Sequence, residues 1–157
     1  MRAWVFGDSV DTDVITPWRY MKLPVEEIAQ HCLEAVSPGF STQVKPGDAV
    51  VAGRNFGCGS SREQAPAALK QLGVAAVIAE SFAGIFFRNS LNLGLPALVC
   101  KDAKQIRDGD RLEVDFQNSM IRNVDSGKTF AFEPIPPHLL QMVRDGGLIP
   151  HLEKRRR

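Results

Sequence analysis

The sequence is poor in the features that mark membrane, exported or nucleic-acid-binding proteins. No apolar run approaches the roughly 20 residues of a transmembrane helix. The N-terminus lacks the basic stretch followed by an apolar one that marks a signal peptide. Neither sign of charge dominates, because 19 Lys and Arg residues stand against 18 Asp and Glu residues. We therefore expect a cytoplasmic protein with no general affinity for nucleic acid or for an anionic membrane.

Cysteine and histidine are scarce as well. The three cysteines, Cys32, Cys58 and Cys100, are far apart and form no C-x-x-C pattern. This spacing argues against a zinc site and against a disulfide framework. The three histidines are equally scattered, so no metal site is predicted in this chain. Cys58 lies in a glycine-rich stretch, where either a reactive thiol or a small buried filler is conceivable.

The length and composition indicate one domain. The chain has 157 residues, of which 44% are hydrophobic, which suffices for one well-buried core but not comfortably for two. We expect a single domain over residues 1–157. Its C-terminal segment, residues 151–157, is rich in Lys and Arg and is predicted to be a solvated basic tail.

The most informative stretch is residues 53–63, which read GRNFGCGSSRE. It follows an apolar run at residues 49–52, predicted as a short buried strand. A helical pattern comes after it, over residues 64–72. The stretch is therefore predicted to be a strand-to-helix loop, whose glycines allow positive φ angles and close approach to a ligand.

The end of this loop supports two interpretations. Ser60 with Glu63, and Ser61 with Gln64, both fit the capping box that begins many helices. Alternatively, the amides at the helix start and Arg62 form a site for an anion. Two hydroxyls beside a guanidinium suit a carboxylate, whereas the lysine of a phosphate loop is missing. The loop alone leaves both interpretations open.

The flanking patterns predict an α/β protein. Strands and helices alternate first, then hairpin-like alternation begins near residue 108, and a last helix follows Pro136 and Pro137. The predicted strands outside the central region cover residues 3–6, 74–79 and 97–100, and the predicted helices cover 24–34, 82–93 and 137–145.

Several blocks together resemble one protein family. They are residues 7–13 (GDSVDTD), 55–66 (NFGCGSSREQAP), 79–86 (AESFAGIF), 94–96 (GLP) and 146–150 (GGLIP). In this order they resemble the small subunit of the isopropylmalate isomerase and homoaconitase family, which corresponds to the swivelling last domain of aconitase. The resemblance covers nearly the whole chain and implies a single swivelling β/β/α domain built of three layers.

The resemblance also implies a reaction and a partner. The expected function is that of a hydro-lyase small subunit, which converts 2-isopropylmalate to 3-isopropylmalate in leucine biosynthesis by dehydration and rehydration. The implied [4Fe-4S] cluster, a Lewis acid toward the substrate hydroxyl, is bound by a separate large subunit and not by this chain. The resemblance implies a heterodimer or a heterotetramer. Alternatives are another acid (homoaconitate, citraconate and methylmalate, or dimethylmalate) or a non-catalytic anion-binding regulatory module.

Site residues follow from the same resemblance. It implies that Ser60 is the general base, acting as an alkoxide stabilised by helix-start amides and Arg62. Ser61 and Arg62 are implied to bind a substrate carboxylate. Asp13 is implied to lie near the substrate. From the residues alone, Asp11 and Asp13 indicate either a cation site or the capping of a turn.

The loop at residues 18–23 is implied to contact the variable end of the substrate, with Arg19 and Lys22 as its cations. The alternative is that both are solvated surface charges.

The sequence departs from the family at three positions. Met21 stands where the family usually has Leu, Gln64 where His is frequent, and Gly84 where Arg is frequent. These departures leave the identity of the acid open.

Overall fold

The computed structural model describes residues 1–156 and contains seven strands and seven helices. The strands are β1 (Ala3–Val5), β2 (Ala49–Ala52), β3 (Ala76–Ala79), β4 (Ala97–Val99), β5 (Leu112–Asp115), β6 (Met120–Asn123) and β7 (Thr129–Ala131). The helices are α1 (Thr12–Ile15), α2 (Val25–Ala29), α3 (Phe40–Gln43), α4 (Gln64–Gln71), α5 (Gly84–Asn92), α6 (Pro137–Arg144) and α7 (Leu148–Arg155).

The first four strands form a parallel sheet in the order β1-β2-β3-β4. Every residue of β2 and β3 is buried, which explains why both segments are continuous apolar runs. Alternate residues of these strands face opposite sides of the sheet. Val50 and Val77 belong to the core under the helices, whereas Val51 and Ile78 belong to a second core on the other face.

The two faces of this sheet are covered differently. Helix α4 packs against α2 and α5 on the first face, where Ala65, Ala68 and Leu69 are completely buried. On the second face lies an antiparallel sheet in the order β5-β6-β7, whose Ile121 and Phe130 complete the second core. Helices, parallel sheet and antiparallel sheet are thus stacked in three layers, as the predicted β/β/α architecture requires.

The helix predicted over residues 24–34 ends early, at Ala29. The chain then turns so that Cys32 and Leu33 enter the core, with Leu33 at a φ of +57°. The Leu33 amide donates a hydrogen bond to the carbonyl of Ile15 at 3.0 Å. A helix cannot provide this connection to α1, so a tertiary contact overrides the local helical pattern.

The C-terminal region differs from prediction in part. Helix α6 follows the proline pair as expected, but the segment predicted as a tail is helical through Arg155. The Asp145 carboxylate holds this extra helix, with His151 Nδ1 at 2.7 Å and Lys154 Nζ at 3.1 Å. The last residue of the predicted tail, Arg157, lies outside the described residues. Within residues 1–156, no helix is long and apolar enough to cross a membrane.

Candidate active site

The central loop lies at the carboxyl ends of three parallel strands, the usual position of ligand sites in such sheets. On one side it pairs with the segment that follows β1. The Gly57 amide donates to the Val10 carbonyl at 2.8 Å, and the Thr12 amide donates to the Cys58 carbonyl at 2.8 Å. On the other side, a parallel bridge joins it to the segment that follows β3. These contacts fix the loop between its two neighbours.

The Asp11, Thr12 and Asp13 motif divides its work among its three side chains. Asp11 caps helix α1, because its Oδ1 accepts a hydrogen bond from the Val14 amide at 2.8 Å. Thr12 points toward Ser60, and Asp13 toward Arg62. The turn-capping alternative therefore holds for Asp11, while the other two side chains reach the central loop.

Ser60 is exposed and contacts the hydroxyl of Thr12, a residue that is only 2% exposed. The two hydroxyl oxygens lie 3.2 Å apart, and the Thr12 hydroxyl also donates to the Ser60 carbonyl at 2.9 Å. Because a hydroxyl has a single proton, the Ser60 hydroxyl is then the donor between the two side chains. When Ser60 is deprotonated, the Thr12 hydroxyl can rotate and donate to it instead.

The capping-box interpretation is wrong. Helix α4 begins at Gln64, its N-cap is Glu63, and no side chain caps it. Ser60 lies before the helix, and the Arg62 amide donates to its carbonyl at 2.9 Å rather than to its hydroxyl. Within residues 1–156, neither a helix-start amide nor the Arg62 guanidinium donates the expected hydrogen bond to the Ser60 hydroxyl. Thr12 takes this place, since it engages both oxygens of Ser60.

Arg62 and Asp13 form an ion pair beside this hydroxyl pair. Arg62 Nη1 donates to Asp13 Oδ1 and to the Thr16 carbonyl, both at 3.1 Å. Asp13 Oδ1 also accepts the Trp18 amide at 2.8 Å. This amide and, next to it, the guanidinium hold the pKa of Asp13 below its ordinary value, so Asp13 is ionised at neutral pH. Only Nη1 of Arg62 is engaged within the described residues, which leaves Nη2 and Nε for a ligand.

A groove of about 650 Å³ opens beside Asp13. Trp18, Arg19 and Glu34 are among the residues that line it. The wall residues also include Val14, Pro17, Ala35, Pro38 and Gly39. The site therefore continues from the exposed Ser60 hydroxyl, through the ion pair, into a concave surface.

The structure brings four of the six predicted site residues into one region, namely Ser60, Arg62, Asp13 and Arg19. Ser61 is exposed beside them, without a hydrogen-bond partner in residues 1–156. Lys22 is exposed on the same loop as Arg19 but does not line the groove.

Two residues were not singled out from the sequence. Thr12 could have been found from the sequence, because it stands between Asp11 and Asp13 in a motif that the resemblance places at the site. Glu34 could not have been found, because its partner Arg19 is 15 positions away and only the fold brings Arg19 Nη2 to 3.2 Å from its carboxylate.

The cysteines do not fit an iron–sulfur cluster in this chain, since such a cluster requires several thiolates around one centre. Cys32 and Cys100 are buried, and burial raises the pKa of each thiol. Cys58 lies apart from them in the central loop. No group of three or more His, Cys, Asp or Glu side chains that could hold a metal ion occurs in the part of the chain that the structure describes.

Comparisons with known proteins give consistent similarities. Residues 10–103 match the aconitase C-terminal domain family. The methanogen homoaconitase small subunit of Methanothermobacter thermautotrophicus is 50% identical over 98% of this chain and 89% of its own length. The 3-isopropylmalate dehydratase small subunit of Nautilia profundicola is 51% identical over 94% of this chain and 90% of its own length.

A solved structure is also similar. The crystal structure of 3-isopropylmalate dehydratase from Methanocaldococcus jannaschii superposes with a TM-score of 0.93 at 44% identity, covering 99% of this chain and 93% of that one. This match confirms the predicted fold class.

Proposed function

The chain belongs to the aconitase C-terminal domain family, and from that premise we propose that it is the small subunit of a hydro-lyase. Its reaction is the conversion of 2-isopropylmalate to 3-isopropylmalate by dehydration and rehydration, a step of leucine biosynthesis. It works with a large subunit in a heterodimer or heterotetramer. The observation that carries this proposal is the junction of the Ser60–Thr12 hydroxyl pair with the Arg62–Asp13 ion pair at one edge of the sheet.

In this proposal, Ser60 removes a proton from the substrate. Its deprotonated Oγ takes the proton from the carbon next to a substrate carboxylate, so that a C–H bond breaks and an O–H bond forms. The electron pair released forms the C=C double bond as hydroxide leaves the neighbouring carbon, and addition of water in the opposite orientation completes the isomerisation. A serine hydroxyl is a weak base in water. Thr12 is buried, and its hydroxyl oxygen lies 3.2 Å from that of Ser60. It stabilises the alkoxide by donating a hydrogen bond to it.

Arg62 and Ser61 bind a substrate carboxylate. Arg62 Nη1 is held by Asp13 and by the Thr16 carbonyl, which fixes the guanidinium plane. A fixed plane presents Nη2 and Nε as a fork, the geometry that suits a carboxylate. Ser61 is adjacent and exposed, so its hydroxyl adds a further donor.

The chain contributes these groups and not the metal. We place the [4Fe-4S] cluster, with the Lewis acidity it supplies to the leaving hydroxyl, on the large subunit. Ser60, Ser61 and Asp13 are all exposed in the isolated chain, whereas such chemistry requires a site closed to water. The large subunit provides that closure.

A second candidate acid is homoaconitate, which a homoaconitase small subunit among the relatives favours. Its additional carboxylate calls for a cation, and Arg19 and Lys22 both lie on the loop beside the groove. Citraconate and methylmalate, or dimethylmalate, are the other candidate substrates of the same site. A non-catalytic anion-binding module is the alternative that involves no large subunit.

The test is affinity purification of the tagged chain from its own cells under anaerobic conditions, with iron and acid-labile sulfide measured in the eluate. We expect a larger protein with an iron–sulfur cluster in stoichiometric amount. Recovery of the chain alone, at cellular expression level and without iron, would contradict the proposal and favour the non-catalytic module.

A further inference from the structure

Glu34 lines the groove, and three side chains contact its carboxylate. Its Oε1 accepts hydrogen bonds from Arg19 Nη2 at 3.2 Å and from the Tyr20 hydroxyl at 3.0 Å. Its Oε2 lies 2.9 Å from His31 Nδ1. One carboxylate therefore connects the loop at residues 18–23 to the turns that follow α2.

The surroundings place Glu34 firmly and keep it charged. The Tyr20 ring stacks on the His31 imidazole, with ring centroids 3.7 Å apart and planes 9° from parallel. The hydrogen bond from His31, with smaller contributions from Tyr20 and Arg19, holds the pKa of Glu34 below its ordinary value. An exposed ion pair alone would be weak, but here an aromatic stack and three donors fix the same carboxylate.

Two arginines in this region each have one nitrogen engaged by a carboxylate. Arg62 is engaged with Asp13 at 3.1 Å and Arg19 with Glu34 at 3.2 Å. Lys22 is exposed outside the groove lining and makes no ion pair within residues 1–156. A third substrate carboxylate that entered the groove would meet Glu34, a lining group of the same charge, whose carboxylate offsets the charge of Arg19 and holds its Nη2.

We propose that Glu34 is a specificity-determining residue: by neutralising Arg19 it makes the groove select a small alkyl end of the substrate over an end with a further carboxylate. The inference rests on the proposed function, because it concerns which acid that site accepts. Burial of an unpaired carboxylate is costly. An alkyl end is instead covered by apolar wall residues, Val14, Pro17 and Trp18.

The test uses Glu34→Gln in the complex reconstituted with the large subunit. Glutamine keeps a hydrogen-bond acceptor and removes the charge, so Arg19 becomes available to a substrate carboxylate. The readout is kcat/KM for a tricarboxylic acid such as homoaconitate divided by kcat/KM for 2-isopropylmalate. We expect this ratio to rise roughly tenfold to a hundredfold, the effect of one hydrogen bond to a charged group.

Two further variants separate charge at the groove from general effects. Arg19→Gln combined with Glu34→Gln should return the ratio to near its original value, because no cation is then released. Glu27→Gln is the matched control: it removes an exposed carboxylate of α2 that makes no hydrogen bond or ion pair in the described residues, and the ratio should not change. An unchanged ratio in Glu34→Gln, or a wild-type preference for the tricarboxylic acid, overturns the inference and leaves the proposed hydro-lyase intact.

A second measurement needs no activity. Trypsin cleaves peptide bonds after arginine, and Arg19 is an exposed arginine of the loop at residues 18–23. Glu34→Ala removes the hydrogen bonds of Glu34 with Arg19 and Tyr20, so it should accelerate cleavage after Arg19 in the isolated chain relative to Glu27→Ala. Equal cleavage rates overturn the positioning role of Glu34. Absence of turnover with every acid in the reconstituted wild type, combined with accelerated cleavage, would instead count against the proposed function alone.

Discussion

Replacement of Ser60 by alanine separates a catalytic hydroxyl from a structural one. Ser60 is exposed, and the one hydrogen bond that its hydroxyl makes within residues 1–156 is to the Thr12 hydroxyl at 3.2 Å. The hydrogen bonds to the Ser60 carbonyl, from Thr12 and from the Arg62 amide, do not depend on this side chain. The variant therefore loses one hydrogen bond and little packing.

The two effects differ greatly in size. One neutral hydrogen bond contributes about 0.5–1.5 kcal/mol to stability, which for a chain of this length shifts Tm by a few degrees. Loss of an essential proton acceptor lowers the rate by about 10²–10⁴-fold. We expect the Ser60→Ala complex to retain its Tm within about 5 °C and to lose turnover almost entirely.

The assay measures Tm and kcat on the same reconstituted sample. Ser126→Ala is a matched control, because its exposed hydroxyl also makes one hydrogen bond, accepting the Lys128 amide in the turn between β6 and β7. It should leave kcat unchanged. If Ser60→Ala loses only as much activity as its fraction of unfolded protein explains, Ser60 is not the proton acceptor.

Thr12→Val extends the same reasoning to the neighbouring hydroxyl. Valine fills the space of this buried side chain but cannot support a deprotonated Ser60. We expect kcat to fall about tenfold to a hundredfold, the effect of one hydrogen bond to a charged group, and to fall no further when Thr12→Val is added to Ser60→Ala. Independent, multiplying effects of the two substitutions would contradict a shared role.

Three other substitutions test separate parts of the structure. Gly57→Ala should destabilise the chain by more than about 1–2 kcal/mol, because Gly57 has a φ of +81° and the new Cβ would clash with the Phe86 ring. The control is Gly127→Ala, which has a similar φ of +77° but no atom near the new Cβ, so it measures the backbone cost alone. Hydrogen bonds from His151 and, to a smaller extent, from Lys154 and Gln141 lower the pKa of Asp145 to about 2. Their stabilising effect is complete above the ordinary value of 3.8 and is lost as pH falls toward 2. Denaturant unfolding should therefore show a smaller loss of stability between pH 4 and 2 in Asp145→Asn than in the wild type. Lys22→Ala should change kcat/KM for alkylmalates little; a selective collapse with a tricarboxylic acid that is the better wild-type substrate would show that Lys22 binds a carboxylate.

The strands could be predicted because burial leaves a direct trace in the sequence, whereas the three layers were implied by the family resemblance. The runs that became β2 and β3 are apolar at every position, as a sheet covered on both faces requires. The alternation after residue 108 likewise became antiparallel strands. Helix periodicity was a weaker guide: the helix predicted over residues 82–93 forms as α5, but its Ile85 is 47% exposed.

What escaped prediction depends on contacts between distant residues. Helix α2 ends at Ala29, and the Leu33 amide then donates a hydrogen bond to the Ile15 carbonyl. No local sequence pattern predicts that hydrogen bond. Ser60 and Ser61 matched a capping box, but a hydroxyl 48 positions away engages Ser60 instead. The pairing of Arg19 with Glu34 has the same origin, because each residue alone is compatible with a solvated surface charge.

The most direct test of the central claim, that this chain is one half of a hydro-lyase, is an anaerobic mixing experiment. The purified chain, the purified large subunit and their mixture are each assayed for interconversion of 2- and 3-isopropylmalate. We predict that the chain alone is colourless and inactive and that activity appears on mixing, saturating at a fixed ratio of the two proteins. Turnover by this chain after rigorous removal of any partner, or full activity of the large subunit without it, would contradict the account.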